Sequence, residues 1–255
     1  MKPIVVDAPR VQQPSGKTCG IHQPNFLPWL GFWLKWASVD TFVLYDHCPI
    51  NLRGYTRRVR IAPDAWLTVP LTDQPTGLAI ERVSVAEPER TGRRLRQALL
   101  GRLGGAPHAR GLLSGLASAI TTWEREGARS LLTLNLRLIE CVRGLMGLDA
   151  TFRLASALAS YRTGPDMLPV LTSAAGANRY VSGAGARAYL DRWPARAPRP
   201  TVVDFAAELR RAGVPAEELG LSVVTLIARH GCPAVRDWLA RASERVRGAV
   251  LLDAD

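Results

Sequence analysis

The chain has 255 residues, 47% of them hydrophobic and 22% charged, an ordinary composition for a folded protein able to bury a core. No apolar run is long enough for a bilayer-spanning helix, and the opening MKPIVVDAPRVQQPSGK lacks the apolar centre of a signal peptide. The net charge of +11 comes almost wholly from arginine, since Lys2, Lys17 and Lys35 are the only lysines. That pattern marks a compositional bias rather than a nucleic-acid footprint, and it leaves an anionic small ligand as the partner the charge suits.

These features set the first expectations. Residues 1–16 read as a flexible leader and 17–255 as one α/β domain in the cytoplasm, with no nucleic acid and no membrane as partner. Cys19, Cys48, Cys141 and Cys232 form no CxxC pair and read as reduced thiols. The residues do not fix an oligomeric state.

Along the chain, Thr18-Cys19-Gly20-Ile21 is small and apolar and predicts a buried strand. His22-Gln23-Pro24-Asn25 then places an imidazole and two amides at its end. Pro28 suits a first helical turn, and Leu30, Trp33, Leu34 and Ala37 follow at helical spacing. Thr41 to Tyr45 predicts a second strand ending in Asp46. Two strands joined by a helix make a βαβ unit, and ligands favour the carboxyl ends of such strands, where His22 and Asp46 would both sit.

A loop follows, carrying Arg53, Arg57, Arg58 and Arg60. Planar guanidinium groups suit bidentate capture of phosphate or carboxylate, which makes Arg53, Arg58 and Arg60 candidates for an anion clamp. Strands are predicted over Thr56–Ile61, Trp66–Leu71 and Ile80–Val85, with a turn at Asp73–Gly77. A helical insertion fills about 88–147, its third helix holding Asn135 inside an apolar stripe, where a buried amide must find partners. The pattern then returns to α/β. Strands are predicted at Thr151–Ala155, Arg179–Gly183 and Thr201–Phe205, and helices from Asp166 to Ala177, over a short stretch to Leu190, over Ser222–His230 and over Pro233–Val246. The fold class is thus α/β, a mixed β-sheet flanked by helices, with a helical middle segment.

The run IHQPNFLPWLGFWLKWASVDTFVLYD resembles the opening signature of the WbqC-like proteins, a bacterial family met in surface-glycan and natural-product gene clusters. LNLRLIECVRGLMGLDATFRLAS, RYVSGAGARAYLD and LGLSVVTLIARHGCPAVRDWL resemble later segments of the same family, the second carrying Tyr180 and Ser182 in its Tyr-x-Ser-Gly pattern. The resemblance runs from Ile21 to about Leu239. It places His22, Gln23, Asn25, Asp40, Asp46, Arg53, Arg58 and Arg60 on family positions. Asp46-His47 stands where relatives commonly have paired acids, Pro49 where they have Gln, and Arg57-Arg58 where they have Asn-Arg. A substrate different from that of the glycan-pathway relatives is expected.

Together these readings predict a biosynthetic transferase that moves an acyl or aminoacyl group onto an amine or hydroxyl of a small molecule or sugar. His22 would be the general base, with Asp46 orienting its ring. Gln23 and Asn25 would hold a carbonyl or stabilise an oxyanion. Arg53, Arg58, Arg60, Tyr180 and Ser182 would bind substrate. The expected partners are a small-molecule substrate and an acyl donor or carrier protein, with no cofactor. Cys19 and Cys48 stay open as nucleophiles. Two alternatives stand beside this. One is a metal enzyme using His22, Asp46 and His47, although neighbouring residues on an extended chain face opposite ways. The other is a scaffold or ligand-binding protein that docks through Trp29, Trp33 and Trp36.

Overall fold

The computed structural model describes residues 16–72, 75–127, 129–148, 152–160, 166–186, 193–194 and 197–252. Residues 1–15 of the expected leader, Asp73 and Gln74 of the expected turn Asp73–Gly77, residues 161–164 after Ser160, and residues 187–190 of the expected short helix reaching Leu190 lie outside the described residues.

The fold is α/β, and its strands divide between two sheets. Five run parallel in the order β5-β2-β1-β6-β7: β1 (Thr18–His22), β2 (Thr41–Leu44), β5 (Phe152–Leu154), β6 (Arg179–Gly183) and β7 (Arg199–Val203). The other two, β3 (Arg58–Ala62) and β4 (Ala65–Thr68), form a separate antiparallel hairpin. From β1 the chain moves outward to β2 and then β5. It later returns to the other side of β1 to lay down β6 and β7. The direction of winding therefore reverses between β1 and β6, and the carboxyl ends of these two strands flank the switch point.

Helix α1 (Leu30–Ala37) links β1 to β2, and every residue from Leu30 to Trp36 is buried. A surface helix would show one polar face. This one has none, because it packs on β1 and also against α6 (Phe205–Arg211) and α7 (Val223–Leu252). Trp33 and Trp36 stack at 5.6 Å, and Trp36 stacks on Phe42 of β2 at 4.8 Å. Each such aromatic side chain taken fully out of water contributes about 2–3 kcal/mol. Pro28 lies just outside the helix, which begins at Leu30, and its carbonyl accepts a hydrogen bond from Val223 N. Gly31 is required by a close approach: a Cβ there would lie 2.2 Å from the Trp29 ring.

Three helices, α2 (Pro88–Leu103), α3 (Ala109–Arg125) and α4 (Leu131–Met146), form a flank in which α3 packs on both others and α4 meets α7. Ser130 caps α4 by accepting from Thr133 N. Helix α5 (Met167–Ala174) packs beside β1 and β6.

Two expected elements differ. Ile80–Val85 alternates like a strand but forms a 3₁₀ turn at Ile80–Arg82, because only isolated bridges, such as Leu71 to Val85 and Ser84 to Ser130, offer it a partner. The two expected C-terminal helices are stacked into α7 across a break at Gly231, whose φ of 81° suits a residue without a side chain.

Candidate functional site

A cleft of about 540 Å³ opens at the carboxyl ends of β1 and β6. β1 contributes Ile21 and His22, followed by Gln23; α1 contributes Gly31 and Lys35; and β6 contributes Tyr180, Ser182 and Gly183. Trp29, Leu168 and Phe205 complete a largely apolar wall. No Arg, Asp or Glu lines the cleft among the described residues, so Lys35 is the one formal cation there.

His22 is half-buried at the end of β1, with its ring edge-on to Phe32 at 5.1 Å. Its Nδ1 lies 3.0 Å from the Gln23 carbonyl. A carbonyl only accepts, so Nδ1 carries the proton and Nε2 keeps its lone pair. Burial, and next the Lys35 charge, lower its pKa to about 4 from 6.5. The ring is therefore neutral at physiological pH.

Lys35 is 4% exposed. Its Nζ donates to the Ile21 carbonyl at 2.6 Å and sits 5.2 Å from the centre of the Tyr180 ring. No carboxylate among the described residues pairs with it. Burial lowers its pKa to about 7 from 10.5, against a smaller opposing influence from Cys19. A lysine ammonium without a counter-ion in an apolar setting loses its proton more readily, for the reason that the charged form has lost its water. The amine is thus shared between ammonium and free base near neutrality.

Lys35 was not among the residues singled out from the sequence. Two signals pointed to it. It is the only charge in LGFWLKWA, and it is a lysine in a chain whose basic residues are otherwise almost all arginine. Arginine would hold a charge there permanently, and lysine need not.

Tyr180 and Ser182 meet at the cleft, Ser182 Oγ lying 3.3 Å from Tyr180 OH. The Tyr180 ring stacks on Trp193 at 5.3 Å. Gln23 also lines the cleft, but its amide is held by protein neighbours: Nε2 donates to Cys48 Sγ at 3.4 Å, and Oε1 accepts from Thr56 Oγ1 at 3.2 Å. Gln23 therefore fixes the loop more than it offers a free amide. Asn25 is buried and is not part of the lining.

Other expected site residues are placed elsewhere. Asp46 does not orient His22: its carboxylate accepts from Ser156 N at 2.9 Å and from Ser156 Oγ, tying β2 to the end of β5. The partner the sequence could not supply was Ser156, 110 positions away. The three arginines form no clamp on the cleft. Arg58 lies over the Trp66 ring at 4.5 Å, Arg60 packs against Gly220, and Arg53 is on an exposed turn with its backbone N–H held by Asn51 Oδ1. Arg58 and Arg60 stand on the hairpin, which is separate from the parallel sheet, and Arg53 lies in the turn before it. Asp40 accepts from Thr18 N and Oγ1 at 2.8 Å, pinning the start of β1.

The thiols and the metal alternative are also placed. Burial pushes Cys19 and Cys48 up to about 12, so neither is a thiolate at neutral pH. No three His, Cys, Asp or Glu side chains gather closely enough to hold a metal ion among the described residues, so His22, Asp46 and His47 do not form a common donor set. Trp33 and Trp36 are wholly buried, which removes them as a docking face.

The loop that follows His22 is pinned from three sides. Asn135 of α4, fully buried, donates to the carbonyls of Pro24 and Thr56, both at 2.8 Å. Phe26 N donates to Tyr55 O at 3.0 Å. Ser222 Oγ donates to Leu27 O at 2.6 Å, where Leu27 holds a φ of 43°.

The chain is thus an α/β protein with a cleft at the switch point of its parallel sheet, walled by apolar groups around an imidazole and an amine. The chain belongs to the WbqC-like protein family, whose model matches residues 23–196. It is 29% identical over 182 residues to the uncharacterized protein Rv1507c of Mycobacterium tuberculosis, covering 69% of this chain and 76% of that protein. No solved structure matches. No helix among the described residues is long and apolar enough to cross a membrane.

Proposed function

We propose that this WbqC-like chain is a biosynthetic transferase that moves an acyl or aminoacyl group onto an amine or hydroxyl of a small molecule or sugar. The observation that supports it is the pairing of His22 and Lys35 on one apolar cleft at the switch point. The acceptor's nucleophilic atom attacks the donor carbonyl carbon while its proton passes to His22 Nε2. The carbonyl oxygen becomes an oxyanion, and Lys35 as ammonium lies on the same wall to stabilise it.

A pKa of about 4 makes His22 a weak base in the resting cleft. Negative charge building on the intermediate counteracts Lys35 and raises the proton affinity of the ring during the step, when it is needed. Collapse of the intermediate breaks the bond to the leaving group, which takes the proton back from His22. Tyr180 and Ser182 supply hydroxyls to orient the donor. The apolar wall favours an uncharged acyl group over a phosphate at the reacting end.

The test uses the purified full chain incubated with extract of its producing strain and isotope-labelled acyl or amino acid precursors. Wild type is expected to form a labelled product. His22→Ala is expected to lose it while its circular dichroism and melting temperature stay within the wild-type range. A folded His22→Ala protein that still forms the product at the wild-type rate overturns the reading.

A further inference from the structure

We propose that the ε-amine of Lys35 is a nucleophile that forms an imine with an aldehyde or ketone entering the cleft. This is chemistry distinct from acyl transfer, and it requires neither a donor nor turnover.

Three features of the site lead there. Lys35 is buried yet lines the cleft, with its nitrogen held between two other lining residues, the Ile21 carbonyl and the Tyr180 ring, the opposite of a surface lysine that keeps its head in water. Its hydrogen bond goes to a carbonyl, Ile21 O, and not to a carboxylate. A neutral amine can keep that bond through one N–H while its lone pair faces the cavity. A carboxylate partner would have fixed the ammonium form, which has no lone pair. The wall opposite is apolar, so a carbonyl compound with an aliphatic or aromatic substituent is the class of ligand that fits.

The groups that face Lys35 from the elements around it are His22 and Cys19 on β1 and Tyr180 on β6. Among the described residues none is a carboxylate. His22 Nε2 has no hydrogen-bond partner among the described residues, and His22, Tyr180 and Ser182 line the same cleft, so proton carriers stand beside the amine.

The steps balance without an oxidant or reductant. The lone pair of Nζ adds to the carbonyl carbon, and a proton moves from nitrogen to oxygen to give a carbinolamine. The C–O bond then breaks, the hydroxyl leaves as water with a proton relayed through the neighbouring groups, and the nitrogen lone pair completes the C=N bond. Hydrolysis reverses the sequence. The burial that lowers the amine's proton affinity assists the first step, since an ordinary solvated lysine is neutral in only roughly one part in a few thousand at pH 7.

Reductive trapping reads this directly. The full chain is incubated with benzaldehyde and sodium cyanoborohydride at pH 7, and adducts are mapped by peptide mass spectrometry. Lys17, exposed and the same residue type, serves as the reference within the same molecule. Lys35 is expected to be labelled roughly 100-fold faster than Lys17, within the excess of neutral amine expected at that pH. In urea the preference is expected to vanish. Lys35→Arg, which keeps a charge but forms no imine, is expected to leave labelling only at the remaining amines. Equal or slower labelling of Lys35 in the folded protein overturns the proposal, as does a preference that survives unfolding. The wild-type comparison stands even if Lys35→Arg fails to fold. Trapping without product formation sinks the transferase reading alone, and product formation without trapping sinks the imine alone.

Discussion

Lys35 and Glu218 are both removed from water, at 4% and 6% exposure, yet they stand in opposite electrostatic settings. Glu218, in the 3₁₀ turn Ala216–Glu218, accepts from Arg229 Nη1 and from His230 Nε2, each at 2.7 Å, which fastens that turn to α7. Lys35 meets a backbone carbonyl and an aromatic face, with no opposite charge paired to it among the described residues. The first arrangement holds a charge in place. The second strains it, so that the proton becomes easy to remove. A buried group whose charge is left uncompensated beside a cleft is the kind placed for chemistry, whereas a compensated one away from it serves the fold.

The widest separation between the two comes from removing each charge. Lys35→Met keeps the length and loses the amine. Product formation is expected to fall by about 10³-fold, roughly 4 kcal/mol, while urea unfolding at pH 7 shows a gain in stability of about 1–2 kcal/mol, since a desolvated ammonium is gone. A loss of stability in that variant would make Lys35 a structural residue like Glu218. For Glu218→Gln the expected outcome is the reverse. Stability drops by about 2 kcal/mol, because the half-exposed Arg229 loses its buried carboxylate partner and His230 loses its acceptor, and reductive trapping at Lys35 proceeds at the wild-type rate.

A smaller effect appears in the pH dependence. Lys35 is held at about 7 in the folded chain and near 10.5 when unfolded, so between these values the unfolded chain binds the extra proton. Stability therefore rises with pH above 7. Cys19 and Cys48 oppose this above pH 9, where the unfolded thiols ionise while the buried ones stay protonated up to about 12. The net climb is confined to about pH 7–9 and amounts to about 2 kcal/mol. Lys35→Met, followed by chemical unfolding at stepped pH, is expected to flatten it. A separate acid limb belongs to His22, whose contribution is lost as pH falls from 6.5 towards about 4.

The smallest expected effect lies in the loop between the two regions. Asn135→Ala removes both donors to Pro24 and Thr56 and is expected to lower stability by about 1–2 kcal/mol. Hydrogen exchange at residues 23–28 should quicken ahead of that in β1. Unchanged exchange there would mean that the Tyr55 and Ser222 contacts hold the loop without Asn135.

Much of this arrangement is written locally. The apolar strand, the helical spacing after Pro28 and the second strand define β1-α1-β2 by pattern alone, since side-chain period and chain reversal are short-range matters. The same reasoning puts His22 at a strand end and Tyr180 and Ser182 at the end of another. Asn135 could be recognised as an amide in need of partners, because an unsatisfied buried amide is costly wherever it lies.

What the residues by themselves could not decide is which ends meet. β6 pairs with β1 across some 160 positions, and only that pairing brings Tyr180 over Lys35. Asp46 and His22 share an edge by pattern, yet Asp46 turns to Ser156 because β5 pairs beside β2. The arginines of β3 look like a clamp in sequence and are drawn to Trp66 and Gly220 by a hairpin that pairs only with itself. Lys35 reads as one polar position on a helix until β1 and β6 close against it. Local propensity and periodicity act over a few residues, and they fixed the elements. Burial from all sides, and with it the character of the Lys35 amine, depends on contacts between distant segments that exist only once the sheet has closed around β1.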